Sequence, residues 1–276
     1  MTGFGYNVNG FGAYASRGVT LDASAASSAN LQTLFNNAVA DSWASGTPKT
    51  YNIASGTTMG IITAPASMGG TLIIEHEGAI QGEGGNSSGE AGGTAMTIQS
   101  TGITINMASG STISGGAGAG GAGGTGGQGQ YISNNGQQQC NSCSSGYIYS
   151  VSCSCCCNGC SNEGNPGNIY WCGNLNVTSG GAGGAFGNGL GYNQAKSNGA
   201  SGSSGGTSAG TGGTGGNGGA SFASAGSNGA TGANGNNSNG AGGATGGAAG
   251  RAITFSGVSA YTIIGTNSGT ISGAYT

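Results

Sequence analysis

Glycine returns at every third position through long stretches of this chain: Gly115, Gly118, Gly121, Gly124 and Gly127, then Gly210, Gly213, Gly216 and Gly219. Further runs follow at Gly226, Gly229, Gly232 and Gly235, and at Gly240, Gly243 and Gly246. A period of three matches an extended left-handed helix with three residues per turn and a rise of about 3.1 Å, which makes no internal hydrogen bonds. Its N–H and C=O groups must therefore find partners elsewhere. Several such helices packed side by side meet that demand, because a glycine face lets backbones approach closely enough to bond across. Collagen does not fit, since a triple helix needs an unbroken Gly-X-Y register rich in proline, and this chain breaks register and has 3 prolines. An ordinary enzyme core is also excluded: 67 of 276 residues are glycine and 4% are charged, which leaves too few large aliphatic side chains. An amorphous Gly/Ser/Asn linker is the bland alternative.

Counting tracts gives six passes: up along 115–127, down along 180–187, up along 199–205, down along 210–219, up along 226–235 and down along 240–250. The loops at the far end are then 128–179, 206–209 and 236–239, with the 86–88 turn on the same side of an earlier hairpin. The base side receives 188–198 and 220–225. The first pass carries its loop roughly 40 Å from the base. Glycine loses more conformational freedom on folding than any other residue, so such a layer must be dense in hydrogen bonds, each contributing about 1 kcal/mol net. A Gly→Val change at Gly213 or Gly232 is expected to unfold it.

The flanking sequence supplies short β runs. Gly93-Thr94-Ala95-Met96-Thr97-Ile98, Ile103-Thr104-Ile105 and Gly110-Ser111-Thr112-Ile113-Ser114-Gly115 resemble Gly250-Arg251-Ala252-Ile253-Thr254-Phe255, Tyr261-Thr262-Ile263-Ile264 and Gly269-Thr270-Ile271-Ser272-Gly273. A degenerate third copy runs from Leu72-Ile73-Ile74 to Gly78-Ala79-Ile80-Gln81-Gly82, so three β units stack or pair, with the glycine tracts inserted between them. Residues Met1 to about Asp22 read as extended backbone. From Ser28 to Ala44, Leu31, Leu34, Phe35, Ala38, Val39 and Trp43 fall at three- and four-residue spacing, which predicts one helix capped by Ser27 or Ser28 and stopped by Gly46 and Pro48.

The large far-end loop holds all eight cysteines, Cys140, Cys143, Cys153, Cys155, Cys156, Cys157, Cys160 and Cys172, together with Tyr131, Tyr147, Tyr149, Tyr170 and Trp171. An even cysteine count in a loop-rich segment reads as disulfides that staple a loop too small to bury a core. Connectivity is not readable. The rival is zinc, because Cys140-Asn-Ser-Cys143 and Cys157-Asn-Gly-Cys160 have ligand-like spacing, although the Cys155-Cys156-Cys157 run is awkward for it. The aromatic rings suit sugar faces or apolar receptor patches; packing around the disulfides is the alternative. No metal or other cofactor is expected.

Charge is sparse: after position 91 only Glu163, Lys196 and Arg251 carry it. No basic stripe suits nucleic acid, and no apolar run approaches the roughly 20 residues of a membrane span. The start Met1-Thr2-Gly3 lacks a signal peptide's basic and apolar regions, so the expectation is a cytosolic product released by lysis, whose cysteines oxidise afterwards. No catalytic constellation is found and no enzyme is expected. The single histidine, His76, sits between Glu75 and Glu77 and reads as a bystander on a solvent-facing strand. Fragments such as Gly213-Thr-Gly-Gly lack the Gly-Lys-Ser/Thr of a phosphate loop.

The glycine runs interrupted by variable segments, the Gly-x-Ala-Ile-Thr pattern and the terminal Gly-Thr-Ile-Ser-Gly-Ala resemble the tail-fibre tip adhesins of T-even-type phages and the glycine-rich ends of other phage fibre proteins, over roughly residues 70 to 276. The cysteine-rich insert and the opening Phe4-Gly5-Tyr6-Asn7-Val8-Asn9-Gly10-Phe11-Gly12 lie outside that pattern. The resemblance implies a virion protein that joins a fibre through its N-terminal part and recognises a host surface glycan or outer-membrane protein through the far-end loops. On that reading Tyr131, Tyr147, Tyr149, Tyr170, Trp171, Thr207 and Asn237 touch the receptor. Other tail fibre or virion proteins are the expected partners, with a trimer and a single adhesin capping a trimer both compatible. The expected fold class is mostly irregular and β: short β repeats forming a base, a packed bundle of polyglycine II helices and one short N-terminal α-helix. The expected divisions are an attachment region 1–69, β repeats 70–114, a glycine bundle 115–250 carrying the loop 128–179, and a C-terminal β repeat 251–276. A purely structural fibre or capsid decoration and an ice-binding protein are the competing readings.

Overall fold

The computed structural model describes residues 18–139, 147–151, 169–192, 194–258 and 268–275; for 132, 134–139, 147–151 and 169–174 it describes the backbone alone. The strands are short because inward and outward residues alternate over only a few positions before glycine, proline or a polar turn interrupts. In chain order they are β1 (Val19–Asp22), β2 (Ser28–Asn30), then the helix α1 (Leu31–Ala38), β3 (Lys49–Ile53), β4 (Thr58–Met59), β5 (Ile61–Ala64), β6 (Leu72–His76), β7 (Ala79–Gln81), β8 (Met96–Ile98), β9 (Ile103–Met107) and β10 (Thr112–Ser114). After these come β11 (Gly129–Gln139), β12 (Tyr147–Val151), β13 (Ile169–Thr178), β14 (Ile253–Phe255) and β15 (Thr270–Ser272).

Three four-stranded sheets account for most of them, ordered β1-β3-β6-β9, β15-β10-β7-β4 and β14-β8-β5-β2, and every pairing within them is parallel. The chain visits the three sheets in rotation: β3, β4 and β5 make one circuit, β6, β7 and β8 the next, and β9, β10 and β14 the one after. This is a three-sided parallel solenoid. Its interior is built of ladders of like residues, such as Tyr51, Ile74 and Ile105, or Met59, Ile80 and Ile113, all buried. The repeated sequences are neighbouring rungs: Ile253 lies opposite Met96 and Ile271 opposite Ile113.

One corner of the solenoid carries everything else. In the first circuit β4 passes to β5 through Gly60 alone, whose missing side chain leaves room for the backbone of Ser27. In the second circuit the same corner emits the hairpin 82–93, and in the third it emits residues 115–250. The tracts are joined by hydrogen bonds between passes. Gly118, Gly121, Gly124 and Gly127 donate to Ser224, Ser227, Ala230 and Ala233, while Gly120, Gly123 and Gly126 donate to Gly187, Gly184 and Gly181. The first pass accepts in turn from Gly210, Gly213, Gly216 and Gly219, and from Ala241, Ala244, Gly247 and Gly250. With the hairpin contributing Gly93 and Glu90 as acceptors and Gly85 and Gly89 as donors, 115–127 lies among six neighbouring segments. The directions of these bonds make the passes alternate in the order expected from the tract count.

At the outer surface of the layer, where no further pass is available, side chains supply the missing acceptors. Ser203 Oγ takes the Ala182 N–H, Ser197 Oγ that of Asn188 and Ser227 Oγ that of Asn217, while the Asn217, Asn228 and Asn234 carboxamides take those of Gly199, Gly246 and Gly240. Serine and asparagine thus stand in at the surface for the backbone acceptors that a further pass would supply.

The expected fold class is corrected in two respects. The molecule is mostly β, organised by four-stranded parallel sheets that begin at Val19, not by a base of three short repeats. The glycine tracts carry neither helix nor strand, and among the described residues α1 is the one helix, so the polyglycine II helices are not seen. A period of three fixes which residues must lack a side chain at a close approach; it does not by itself impose a helix.

The α-helix is also shorter than its apolar spacing predicted. Ser28 and Ala29 belong to β2, and Asn30 is the cap, its Oδ1 accepting from Thr33 N–H at 3.2 Å. Leu31 and Phe35 are buried, but Val39 is 51% exposed and already has extended backbone. The chain turns at Asp41 with φ of 55°, Ser42 Oγ donates to the Phe35 carbonyl, and Asn36 Oδ1 takes the Trp43 N–H. Trp43 therefore reaches Phe35, ring centroids 6.2 Å apart, by a turn instead of another helical step.

Beside this turn Lys49 is 1% exposed and its Nζ donates to the carbonyls of Ser45, Thr47 and Gly69 at 3.2, 2.9 and 2.7 Å. Burial pulls its pKa below the usual lysine value. The ammonium ties two loops at the end of the solenoid. Lys49→Met is expected to leave three carbonyls without their donor and to cost roughly 2–4 kcal/mol in urea denaturation, since a hydrogen bond to a charged group is worth about 1.5–3 kcal/mol.

Candidate functional site

The site grows from the end of the glycine layer farthest from the solenoid, where three chain reversals meet. Gly210 N–H donates to the Gly127 carbonyl at 2.9 Å and Gly206 N–H to Ser179 at 3.1 Å, which brings the 206–209 turn against both ends of the large loop. Thr178 Oγ1 donates to the Thr207 carbonyl at 2.7 Å. The 236–239 turn closes on the same point: Asn236 Oδ1 accepts from Gln130 N–H at 2.6 Å while its Nδ2 donates to the Gln130 carbonyl at 2.7 Å. Its backbone N–H reaches Ser208 at 3.1 Å, and Ser238 Oγ accepts from Gln128 N–H at 2.8 Å.

Asn236 thus acts as a substitute strand partner for Gln130, satisfying both of its backbone groups from a turn more than 100 positions later in the chain. The sequence reading missed this residue. The signal was available as Asn236-Asn237-Ser238-Asn239, a polar run that breaks the glycine period at the reversal.

From this platform rises a separate antiparallel sheet, ordered β11-β13-β12. Tyr131 stands opposite Asn176 near its root and is half-buried; Tyr149 stands opposite Trp171, Tyr147 opposite Gly173 and Tyr170 opposite Ser150. The side chains of Tyr147, Tyr149, Tyr170, Trp171 and Cys172 are not among those described. Cys140, Cys143, Cys153, Cys155, Cys156, Cys157 and Cys160 lie outside the described residues, and with them the disulfide and zinc readings. Thr207 and Asn237 are exposed, so the structure brings Tyr131, Thr207 and Asn237 to one end of the layer.

Two features of the solenoid lie apart from this platform. A shallow cavity of about 220 Å³ at another corner of the solenoid is lined by Ser55, Thr57, Thr58, Glu77 and Thr112 among others. His76 does not face solvent as expected: it is 1% exposed, on the inner face of β6, while Glu75 and Glu77 point outward. The signal was available: alternation puts Leu72 and Ile74, both buried, on the same face of β6 as His76, and the glutamates on the other. Its Nε2 is 3.0 Å from the Thr112 carbonyl and its Nδ1 has no partner among the described residues.

Burial holds the His76 pKa below its ordinary value of 6.5, with the Thr112 hydrogen bond opposing the shift. The unfolded chain takes up this proton near pH 6.5 and the folded one resists it, so stability must fall as pH drops below that value. Denaturation midpoints at pH 7.5 and pH 5 are expected to differ in that direction, and His76→Gln is expected to flatten the difference.

No protein-family model matches the sequence, and no curated protein matches it either. Among solved structures the chain is similar to the gp37–gp38 adhesin tip complex of the bacteriophage S16 long tail fibre, at 15% identity over 94% of this chain and 82% of that one, with a TM-score of 0.42. A likeness so loose leaves both fold and function to the residues themselves.

Proposed function

We propose that this chain is a non-enzymatic virion protein of a phage tail fibre, and that it attaches to a host-cell surface through the far-end platform and the sheet standing on it. The observation that carries the reading is the convergence of three sequence-distant reversals, 127–130 with 178–180, 206–210 and 235–238, on one end of a layer fastened at its other end to a solenoid. A layer held by backbone bonds tolerates change at the exposed positions of its reversals, such as Thr207 and Asn237, while Asn236, Ser238 and Thr178 hold the turns. That is the property a recognition surface needs. The sequence resemblance to fibre-tip adhesins supports the same reading, and the solenoid end offers parallel strand edges for attachment to a fibre.

Exchange of residues 131–178 for the matching segment of a related phage tests it. Host range is expected to follow the exchanged segment; unchanged host range with unchanged adsorption would remove recognition from this loop.

A further inference from the structure

The chemistry of the platform limits what it can hold. Among the described residues of this end no side chain is charged: the charged groups after position 91 are Glu163, Lys196 and Arg251. Lys196 belongs to the base side, next to the Ser197–Asn188 bond, and Arg251 adjoins β14. What the surface does offer is Gln128, Thr207, Asn237 and Asn239, all exposed. Among the described residues their side chains have no hydrogen-bond partner, whereas Asn236, Ser238 and Thr178 are spent on holding the turns together. Three carboxamides and a hydroxyl each donate and accept, which matches ligand groups that do both. Alcohol hydroxyls do both; phosphates and carboxylates only accept, and their charge would meet no cation here. Half-buried Tyr131 at the edge adds an aromatic face suited to the C–H side of a sugar ring.

We infer that the platform takes an uncharged, hydroxyl-rich ligand, a neutral saccharide, and not an acidic or phosphorylated glycan. This rests on the attachment function proposed above and narrows it. Binding here owes nothing to ion pairing, so it resists salt. It also resists pH change, because no carboxylate, imidazole or ammonium lies among the described platform residues.

The full-length protein would be applied to an array of neutral, sialylated and phosphorylated oligosaccharides, from about 50 mM to about 500 mM salt, a range over which screening shortens severalfold. Expected are signals on neutral saccharides that change less than about twofold with salt. The variant Thr207→Val/Asn237→Ala, which removes two exposed side chains with no partner among the described residues, is expected to weaken them about tenfold, in line with the modest net value of each hydrogen bond. Preference for the sialylated or phosphorylated members, a steep salt dependence or no saccharide signal overturns the inference. Adsorption of the same preparations to host cells separates the two levels. Loss of adsorption in the variant together with an anionic preference leaves the attachment function standing and the neutral-ligand inference refuted. Adsorption untouched by the variant and by the 131–178 exchange refutes both.

Discussion

Gly213→Val is expected to dismantle the glycine layer. A Cβ at this position would fall on the Ala230 carbonyl oxygen, with the Ala230 carbonyl carbon 2.7 Å away and the Thr231 carbonyl carbon at 2.9 Å. All three are backbone atoms of the neighbouring pass, so no side chain can rotate aside. That pass is itself bonded on its other side, Gly229 and Gly232 donating to Ala244 and Ala241. Making room therefore breaks the Gly213–Gly124 bond and the Ala230–Thr214 bond together with their equivalents along the tract. Overpacking a site that can relax costs about 1–3 kcal/mol; here the obstacle is main chain on both sides, and a loss above about 4 kcal/mol is expected. Gly242 provides the control, since a Cβ there meets nothing within 4 Å. Gly242→Ala should leave the urea midpoint where it is, and equal effects at the two positions would show that the close approach is not what requires glycine.

Ile74→Asp is expected to abolish folding of the solenoid, and the milder Ile74→Ala to cost roughly 2–5 kcal/mol. Ile74 is fully buried between Tyr51 and Ile105 in the ladder of one sheet, and each rung pairs only with the rungs above and below it. A carboxylate placed there has no partner, which costs several kcal/mol before the cavity is counted. The glycine layer should go with it: Gly115 and Gly250 are anchored by bonds to Ser272 and Gly116 next to β10 and β14, and without those strands its two ends are no longer held together. A single cooperative transition seen by both solenoid and layer probes is the expected readout; a layer that survives loss of the solenoid would contradict it.

How far these features were legible in the sequence depended on the range over which the determining contacts act. The three-residue glycine period is a local record of close packing on several sides, so the tracts, their reversals and the order of their directions could be counted directly. The solenoid was harder to read. Its strands are three to five residues long for the most part, and the spacing between equivalent positions shifts from Lys49 to Leu72 to Ile103 because the corner loops differ, so no fixed repeat length is visible. The helix was overextended because Trp43 satisfies an i-to-i+8 apolar pattern through a turn. At the platform, exposure of Thr207 and Asn237 followed from their place at reversals. The role of Asn236 did not, since its partner Gln130 is remote in sequence and nothing local distinguishes it from Asn237.

Hydrogen exchange measured amide by amide tests most directly whether the tracts form an ordered layer that holds the platform in place. The amides of Gly118, Gly120, Gly121, Gly123 and Gly124 each have an acceptor in a neighbouring pass, whereas those of Thr125, Gly183 and Phe186 have none among the described residues. Protection of the first group should come within about an order of magnitude of that at Ile74 and Ile105, with fast exchange at Thr125, Gly183 and Phe186 in the same passes. Uniformly fast exchange throughout 115–127 and 210–219, as in a flexible glycine linker, would contradict the account.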